Sequence, residues 1–311
     1  TGVDPGALGQ VPFAPPTGHA VSCNSNELGL AIHPRGRAYV FPVIGGFVGG
    51  DTVAGLLVTG LAESREPALF LDIGTNGEIV IHHNGRLVAA SCAAGPAFEG
   101  ARITHGMRAT TGAIEEVVFK DDVELRIIGG VAPSGLCGSA LLDVAAELLR
   151  HGILDFSGLF NPPETLGDAV APAIRARVVS TEDGVEFVLS PPGQGANGRA
   201  IVVTQGDIRQ LQLATAAIRA GIAILLRQTG LNAADLGQFV IAGGFGNYIR
   251  PHNAQRIGLL PPDVSPERFS FAGNTSLAGA RLAAVSLKAR QRAQELAQRT
   301  EHVDLSLDLN F

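Results

Sequence analysis

The sequence predicts an α/β protein built on a mixed sheet flanked by helices, and three observations carry that expectation. Residues Ala68 to Cys92 form three apolar runs parted by two turn signals, Gly74-Thr75-Asn76-Gly77 and Asn84-Gly85. Asn-Gly accepts the φ > 0 geometry of a two-residue hairpin loop, so the stretch reads as three strands joined by tight turns. Apolar runs at Gln238 to Ala242 and Phe269 to Phe271 then alternate with segments of helical period, as in a sheet covered by helices. Two of the strand ends, at Asp72 and at Ala242, run straight into glycine-marked loops.

Composition bounds the function classes. A chain of 311 residues can bury a large core and is long enough for about two domains. A hydrophobic content of 46% marks it as globular, yet no apolar run approaches the roughly 18 residues of a membrane span, so no membrane partner is expected. The net charge of -6, with no basic stripe interleaved with aromatics, argues against nucleic acid. Cys23, Cys92 and Cys137 are scattered without a C-x-x-C pair, which implies neither a disulfide framework nor a zinc site and suits a reducing cytoplasm. The chain begins at Thr1, holds methionine only at Met107 and shows no signal-peptide pattern, so a piece of a longer protein is expected.

In order, residues 1–36 are rich in Pro and Gly without a sustained period and read as a traversing loop. Arg37 to Ile44 reads as a strand, and after Gly45-Gly46-Phe47-Val48-Gly49-Gly50 a small-residue helix opens at Asp51-Thr52 and runs to about Leu61. Strand, glycine loop and helix N-terminus together make an anion site, with close helix–sheet packing as an equal alternative for the glycines. After the three-stranded ribbon, Gly95-Pro96 feeds a helix, with Pro96 where a missing N–H costs nothing. Glu99 either caps that helix or reaches a ligand hydroxyl. Ala113 to Phe119 and Val123 to Ile128 form a hairpin, and Ser134 to Ser139 is a second Gly/Ser-rich helix entry. Behind it, Leu141, Leu142, Val144, Ala145, Leu148 and Leu149 recur at helical spacing. Residues 153–200 hold one strand, Val185 to Leu189, and read as a surface insertion. Thr204 and Asp207 form a capping box for a long helix that stops at Gly230. A helix follows the Gly243 loop, its first turn disturbed by Pro251. Asn274 caps a helix running to about Gln298, and the alternation of Val303, Leu305, Leu307 and Leu309 with polar residues predicts a terminal strand.

The first ribbon turn carries the chemistry. Gly74 and Gly77 let backbone N–H groups approach a phosphate, and Asp72 ends a buried strand, where a carboxylate needs a cation, water or donor. The plain alternative is a hairpin with a satisfied turn aspartate. The order of Leu71-Asp72-Ile73-Gly74-Thr75 and Val240-Ile241-Ala242-Gly243-Gly244-Phe245 resembles one lobe of the actin-like ATPase superfamily, a ribonuclease H-like fold. There the hairpin is a phosphate loop and the later glycines hold the adenosine. A closer match covers nearly the whole chain. DIGTNGEI (Asp72 to Ile79), SCAAGPAFEGA (Ser91 to Ala101), GLCGSALLD (Gly135 to Asp143), DIRQLQLA (Asp207 to Ala214) and IAGGFGNYI (Ile241 to Ile249) look like the C-terminal region of the reductive activators of corrinoid proteins.

That resemblance implies an ATPase module, preceded in the family by a 2Fe–2S ferredoxin domain, that supports reduction of a corrinoid protein from Co(II) to Co(I) for methyl transfer. It implies ATP and Mg²⁺ as cofactors, a corrinoid protein as partner and a homodimer. Residues 1–66 become the end of a first lobe and its connecting helix, and 67–311 the second lobe with the insertion at about 153–200. Asp72 would take Mg²⁺ or its water shell, and Asp51 would orient water. Gly74, Thr75, Asn76 and Gly77 would contact phosphate, Glu99 the ribose, and Gly243, Gly244, Phe245 and Gly246 the adenine or ribose. The ferredoxin cysteines and the first D-x-G-T hairpin of the family are missing from this stretch, so ATPase activity of the stretch alone is expected to be weak or nil. Three other readings stand beside this one. The first is a small-molecule kinase on the same fold. The second is an activator of the 2-hydroxyacyl-CoA dehydratase type, with Cys92-Ala93-Ala94-Gly95 as its cluster loop. The third is a docking module with structural glycines.

Overall fold

The computed structural model describes residues 4–10, 13–244, 249–309 and 311. A short antiparallel pair, β1 (Val21–Asn24) and β2 (Arg37–Val40), precedes helix α1 (Gly50–Thr59). The expected traversing loop thus contributes one strand. Four residues show too few alternations to betray a period, and the pairing comes from a partner further along the chain.

The ribbon follows as β3 (Ala68–Ile73), β4 (Gly77–His83) and β5 (Arg86–Cys92), antiparallel throughout. Next come β6 (Ala113–Phe119), β7 (Val123–Ile127), the two-residue β8 (Gly135–Leu136) and helix α2 (Gly138–Arg150). A short helix α3 (Pro172–Arg175) leads into β9 (Val178–Thr181), β10 (Gly184–Ser190) and β11 (Ile201–Thr204), and then into the long helix α4 (Gln205–Thr229). Thr204 caps α4 as its sequence announces: its hydroxyl accepts from Asp207 N at 3.2 Å and the Asp207 carboxylate accepts from Thr204 N at 2.9 Å. The chain closes with β12 (Gln238–Ala242), α5 (Pro251–Arg256), β13 (Phe269–Gly273), α6 (Thr275–Val285), α7 (Leu287–Arg299) and β14 (Thr300–His302).

The central sheet has six strands in the order β13-β12-β3-β4-β5-β14. β12 lies parallel to β3, β13 parallel to β12, and β14 parallel to β5, which makes the sheet mixed, as expected. Because strand side chains alternate, β3 is apolar on both faces. Leu69, Leu71, Ile79, Ile81 and Val88 face one core with residues of α2 and α4, among them Leu148, Ile218 and Ile222. Phe70, Val80 and Ala89 face the other, with Leu56 of α1 and Leu296 of α7. On that second face α1 and α6 cross closely. A Cβ at Gly55 would stand 2.5 Å from the Phe70 ring, and one at Gly279 would stand 2.5 Å from Ala54 O. The small residues of α1 therefore serve packing, and they bring the N-termini of α1 and α6 to the end of β3.

Four local expectations change. Residues 153–200 do not merely lie on the surface: Ile174, Phe187 and Leu189 are buried in the main core, because β10 pairs with β11 and carries its apolar side chains inward. The helix expected after Gly95 is one 3-10 turn, Pro96–Glu99. The helix from Asn274 breaks at Ser286, which has extended backbone and whose hydroxyl accepts from Ala289 N at 3.2 Å to start α7. The terminal alternation is no strand. Pairing ends as Val303 N donates to Ala89 O, and Asp304 then caps a 3-10 turn over Leu305–Leu307, leaving Leu307 and Leu309 exposed.

Candidate functional site

The alternation that buries Leu69 and Leu71 against α4 turns Asp72 to the opposite side, toward α1. A cavity of about 340 Å³ opens there, lined by Asp51, Asp72, Gly74, Thr75, Asn76, Glu78, Gly243, Gly244 and the first residues of α6, Thr275 and Ser276. The N-termini of α1 and α6 both open into it, and free N–H groups at helix starts favour an anion. Gly243 closes the corner. It has φ +100°, its N–H donates to Gly273 O at 3.0 Å, and a Cβ there would stand 2.4 Å from Ile73 O and 2.9 Å from an Asp72 carboxylate oxygen. A glycine at this position lets β12 end against the close of β3.

The electrostatics are unusual. Burial, reinforced by the neighbouring Asp51 charge, pushes the Asp72 carboxyl up to about 6. Burial, with Asp51 and Asp72 beside it, pushes Glu78 up to about 7, although Ser91 Oγ donates to it at 3.2 Å. Sequence reasoning overlooked Glu78. The signal was present: Asp72 and Glu78 are the paired residues of the β3–β4 register, so the two carboxylates flank one turn on one face. Raised carboxyl values fix the sign of a stability effect. Between about pH 4 and 7 the folded chain holds protons that the unfolded chain has released, so stability falls as pH rises through that window, and the loss is complete above it. Glu78→Gln is therefore expected to unfold later than the parent at pH 8, by about 1 kcal/mol after discounting for solvent access, with no difference at pH 4. Urea unfolding at the two pH values checks this.

A second, more apolar cavity of about 300 Å³ shares Gly244 with the first and is lined by Phe98, Glu99, Met107, Arg108, Glu115 and the start of α2. Glu99 sits at the boundary: its carboxylate accepts from Thr75 Oγ1 at 2.5 Å. Outside the lining of this cavity stands a polar cluster that sequence reasoning also passed over. Asp143 of α2 accepts from Asn253 Nδ2 at 2.7 Å and from Val117 N at 3.3 Å, and it lies 3.5 Å from the Arg250 guanidinium, which also pairs with Glu116. This ties α5 to α2 and β6.

The structure thus brings Asp51, Asp72, Gly74, Thr75, Asn76, Gly243 and Gly244 to one cavity and Glu99 to its edge. Gly77 is not among the lining residues; it lies beneath, where a Cβ would meet Cys92 Sγ at 2.9 Å and Ile218 at 3.0 Å. Phe245 and Gly246 lie outside the described residues. Cys92 is buried and donates to Gly77 O at 3.3 Å, and burial pushes its thiol up to about 12.

A divalent cation fits the donor set. The cavity offers carboxylates and hydroxyls but no lysine or arginine among the described residues that line it, so a polyphosphate would meet uncompensated negative charge unless a cation came with it. Among the described residues no three His, Cys, Asp or Glu converge as a ready-made cage. Among the described residues no helix is long and apolar enough to cross a membrane.

A family model described as the C-terminal domain of RACo, the ASKHA domain, matches residues 66–311, and one described as the RACo middle region matches residues 1–64. The chain is 39% identical over 312 residues to the corrinoid activation enzyme RamQ of Eubacterium limosum, spanning 99% of this chain and 51% of that protein. It is 32% identical over 242 residues to the Co(II) methylated amine-specific corrinoid protein reductase of Methanosarcina barkeri, spanning 77% of this chain and 43% of that one. Among solved structures, a reductive activator for corrinoid, iron-sulfur protein superposes with a TM-score of 0.89 at 40% identity, over 99% of this chain and 48% of the other. The chain spans about half the length of the relatives it matches.

Proposed function

The chain belongs to the RACo family of reductive activators, with the actin-like ATPase fold, and from that premise we propose that it is the ATPase module supporting ATP-dependent reduction of a corrinoid protein from Co(II) to Co(I). The observation that carries the proposal is the pair of cavities joined at Gly244: a polar one ringed by a glycine turn, two helix N-termini and carboxylates, and an apolar one of nucleoside size beside it.

In this reading the triphosphate lies along Gly74, Thr75 and Asn76, positioned by the N–H groups of Thr75 and Asn76 and the Thr75 hydroxyl, while the Gly74 N–H closes the turn on Asn76 O at 2.9 Å. Asp72 would hold Mg²⁺ or its water shell, and Asp51 would orient water. A bound Mg²⁺ would neutralise the phosphate charge and relieve the repulsion among Asp51, Asp72 and Glu78. Gly243 and Gly244 face the nucleoside, and Glu99 reaches its ribose. Hydrolysis of this kind needs positioning and charge stabilisation more than covalent help, which the cavity supplies.

The electron has another source. Cys23, Cys92 and Cys137 are separate free thiols, so a 2Fe–2S cluster would belong to a ferredoxin domain outside residues 1–311, reduced in the reducing cytoplasm that these thiols suit. One electron passes to Co(II) to give Co(I), and closing of the nucleotide cleft on ATP alters the cobalt environment so that the transfer is feasible. We assign residues 1–66 to the end of a first lobe with its connecting helix and 67–311 to the second lobe. A homodimer is part of the same reading.

The test is titration of the natural protein with ATP and Mg²⁺, with and without its corrinoid protein, following Co(I) by its absorbance. Saturable ATP dependence is expected, and the corrinoid protein should change the ATP affinity, since coupling between two sites is reciprocal. Equal rates of Co(I) formation without ATP, or no binding of ATP, overturn the reading.

A further inference from the structure

One contact joins the two cavities through side chains. The Thr75 hydroxyl of the polar cavity donates to the Glu99 carboxylate of the apolar cavity at 2.5 Å. The backbone repeats the link, since Gly95 N donates to Thr75 O at 2.8 Å. The 3-10 turn that carries Glu99 is anchored by the buried side chains of Ala97 and Phe98, so the carboxylate is delivered to Thr75 by a fixed element while both polar groups stay open to solvent.

A threonine hydroxyl has one proton to donate. While Glu99 holds it, the Thr75 side chain has no donor to offer a phosphate. We propose that Glu99 makes phosphate binding in this cavity depend on a nucleoside: a sugar hydroxyl donates to the Glu99 carboxylate, and Thr75 turns its released proton to the phosphate. For a nucleotide the one bond broken between Thr75 and Glu99 is replaced by two, from the sugar hydroxyl to Glu99 and from Thr75 to the phosphate. A bare polyphosphate regains only the second of these and leaves the Glu99 carboxylate without the donor it had. The inference rests on the nucleotide reading above and adds a selectivity for nucleotides over inorganic polyphosphate.

The experiment uses the natural protein and two probes, ATP and inorganic tripolyphosphate, each with Mg²⁺, by titration calorimetry. Glu99→Ala is expected to bind tripolyphosphate about tenfold more tightly than wild type, and to lose about tenfold of the preference for ATP over tripolyphosphate. In a Thr75→Val background, with no hydroxyl to release, the same Glu99→Ala change should leave tripolyphosphate affinity unaltered. A role in packing alone would weaken both ligands together. Unchanged or weaker tripolyphosphate binding in Glu99→Ala overturns the exchange, as does a gain that persists in the Thr75→Val background, which would report charge repulsion alone. If wild type binds neither probe, the nucleotide reading falls first; if it binds ATP and the variants fail as stated, only the exchange falls.

Discussion

Asp72→Ala in the natural protein is expected to lower ATP-dependent Co(I) formation by about a hundredfold or more, because it removes the carboxylate placed to hold the cation beside the phosphate turn. The same change should not destabilise the fold. Asp72 carries a burial cost, seen in its carboxyl being pushed up to about 6, and Asp51 adds repulsion, so losing the charge relieves both. The expected signature is therefore an inactive protein that melts no earlier than wild type at pH 8. Asp72→Asn keeps the shape and removes the charge, and it should match the alanine variant in activity. Wild-type rates in either variant would remove Asp72 from the site, and a large drop in melting temperature would attribute the loss of activity to folding.

Gly243→Ala carries the second large effect. The new methyl would stand 2.4 Å from Ile73 O and 2.9 Å from the Asp72 carboxylate, at a backbone φ of +100°. Backbone on one side and a functional side chain on the other leave little that can give way. A loss of about 2–4 kcal/mol is expected, together with loss of ATP binding, since relief of the clash must displace Asp72 or the end of β12. Gly244→Ala is the comparison. Among the described residues nothing lies within 4 Å of a Cβ at Gly244, so its stability should stay within about 0.5 kcal/mol of wild type. Urea unfolding and calorimetry of the two variants separate packing from ligand contact: any loss of ATP affinity in Gly244→Ala reports on the bound nucleotide. If Gly243→Ala unfolds and binds like wild type, the close approach of β12 to β3 does not hold Asp72 in place.

Much of the frame is legible in local pattern. The ribbon of β3, β4 and β5 follows from apolar runs and Asn-Gly punctuation, and the start of α4 follows from Thr204 and Asp207 three residues apart. These features depend on neighbours within a few residues, which is where hydrogen bonding and turn geometry act. Expectations fail where a partner from elsewhere decides. Val21 to Asn24 becomes a strand because Arg37 to Val40 pairs with it, and the alternation after Val303 fails because β14 has already taken the edge of the sheet and Asp304 turns the chain away.

The site divides in the same way. Asp72, Gly74, Thr75 and the Gly243-Gly244 pair stand out in the sequence because a strand end with glycine beside it signals close approach by a ligand or another backbone. Gly74 and Gly77 look equivalent there, yet one lines the cavity while the other packs on Cys92 and Ile218, since strand alternation and the position of α4 decide which face each meets. Glu78 reads as an ordinary exposed strand residue until the β3–β4 register sets it opposite Asp72. By itself the sequence determined the ribbon, the start of α4 and the aspartate and glycines at the two strand ends, because these are set by local chemistry along the chain. Tertiary structure alone decided the third carboxylate, the Asp143 cluster behind the apolar cavity and the Thr75–Glu99 contact between the two cavities. Each of these depends on distance in space between residues whose separation in sequence carries no signal.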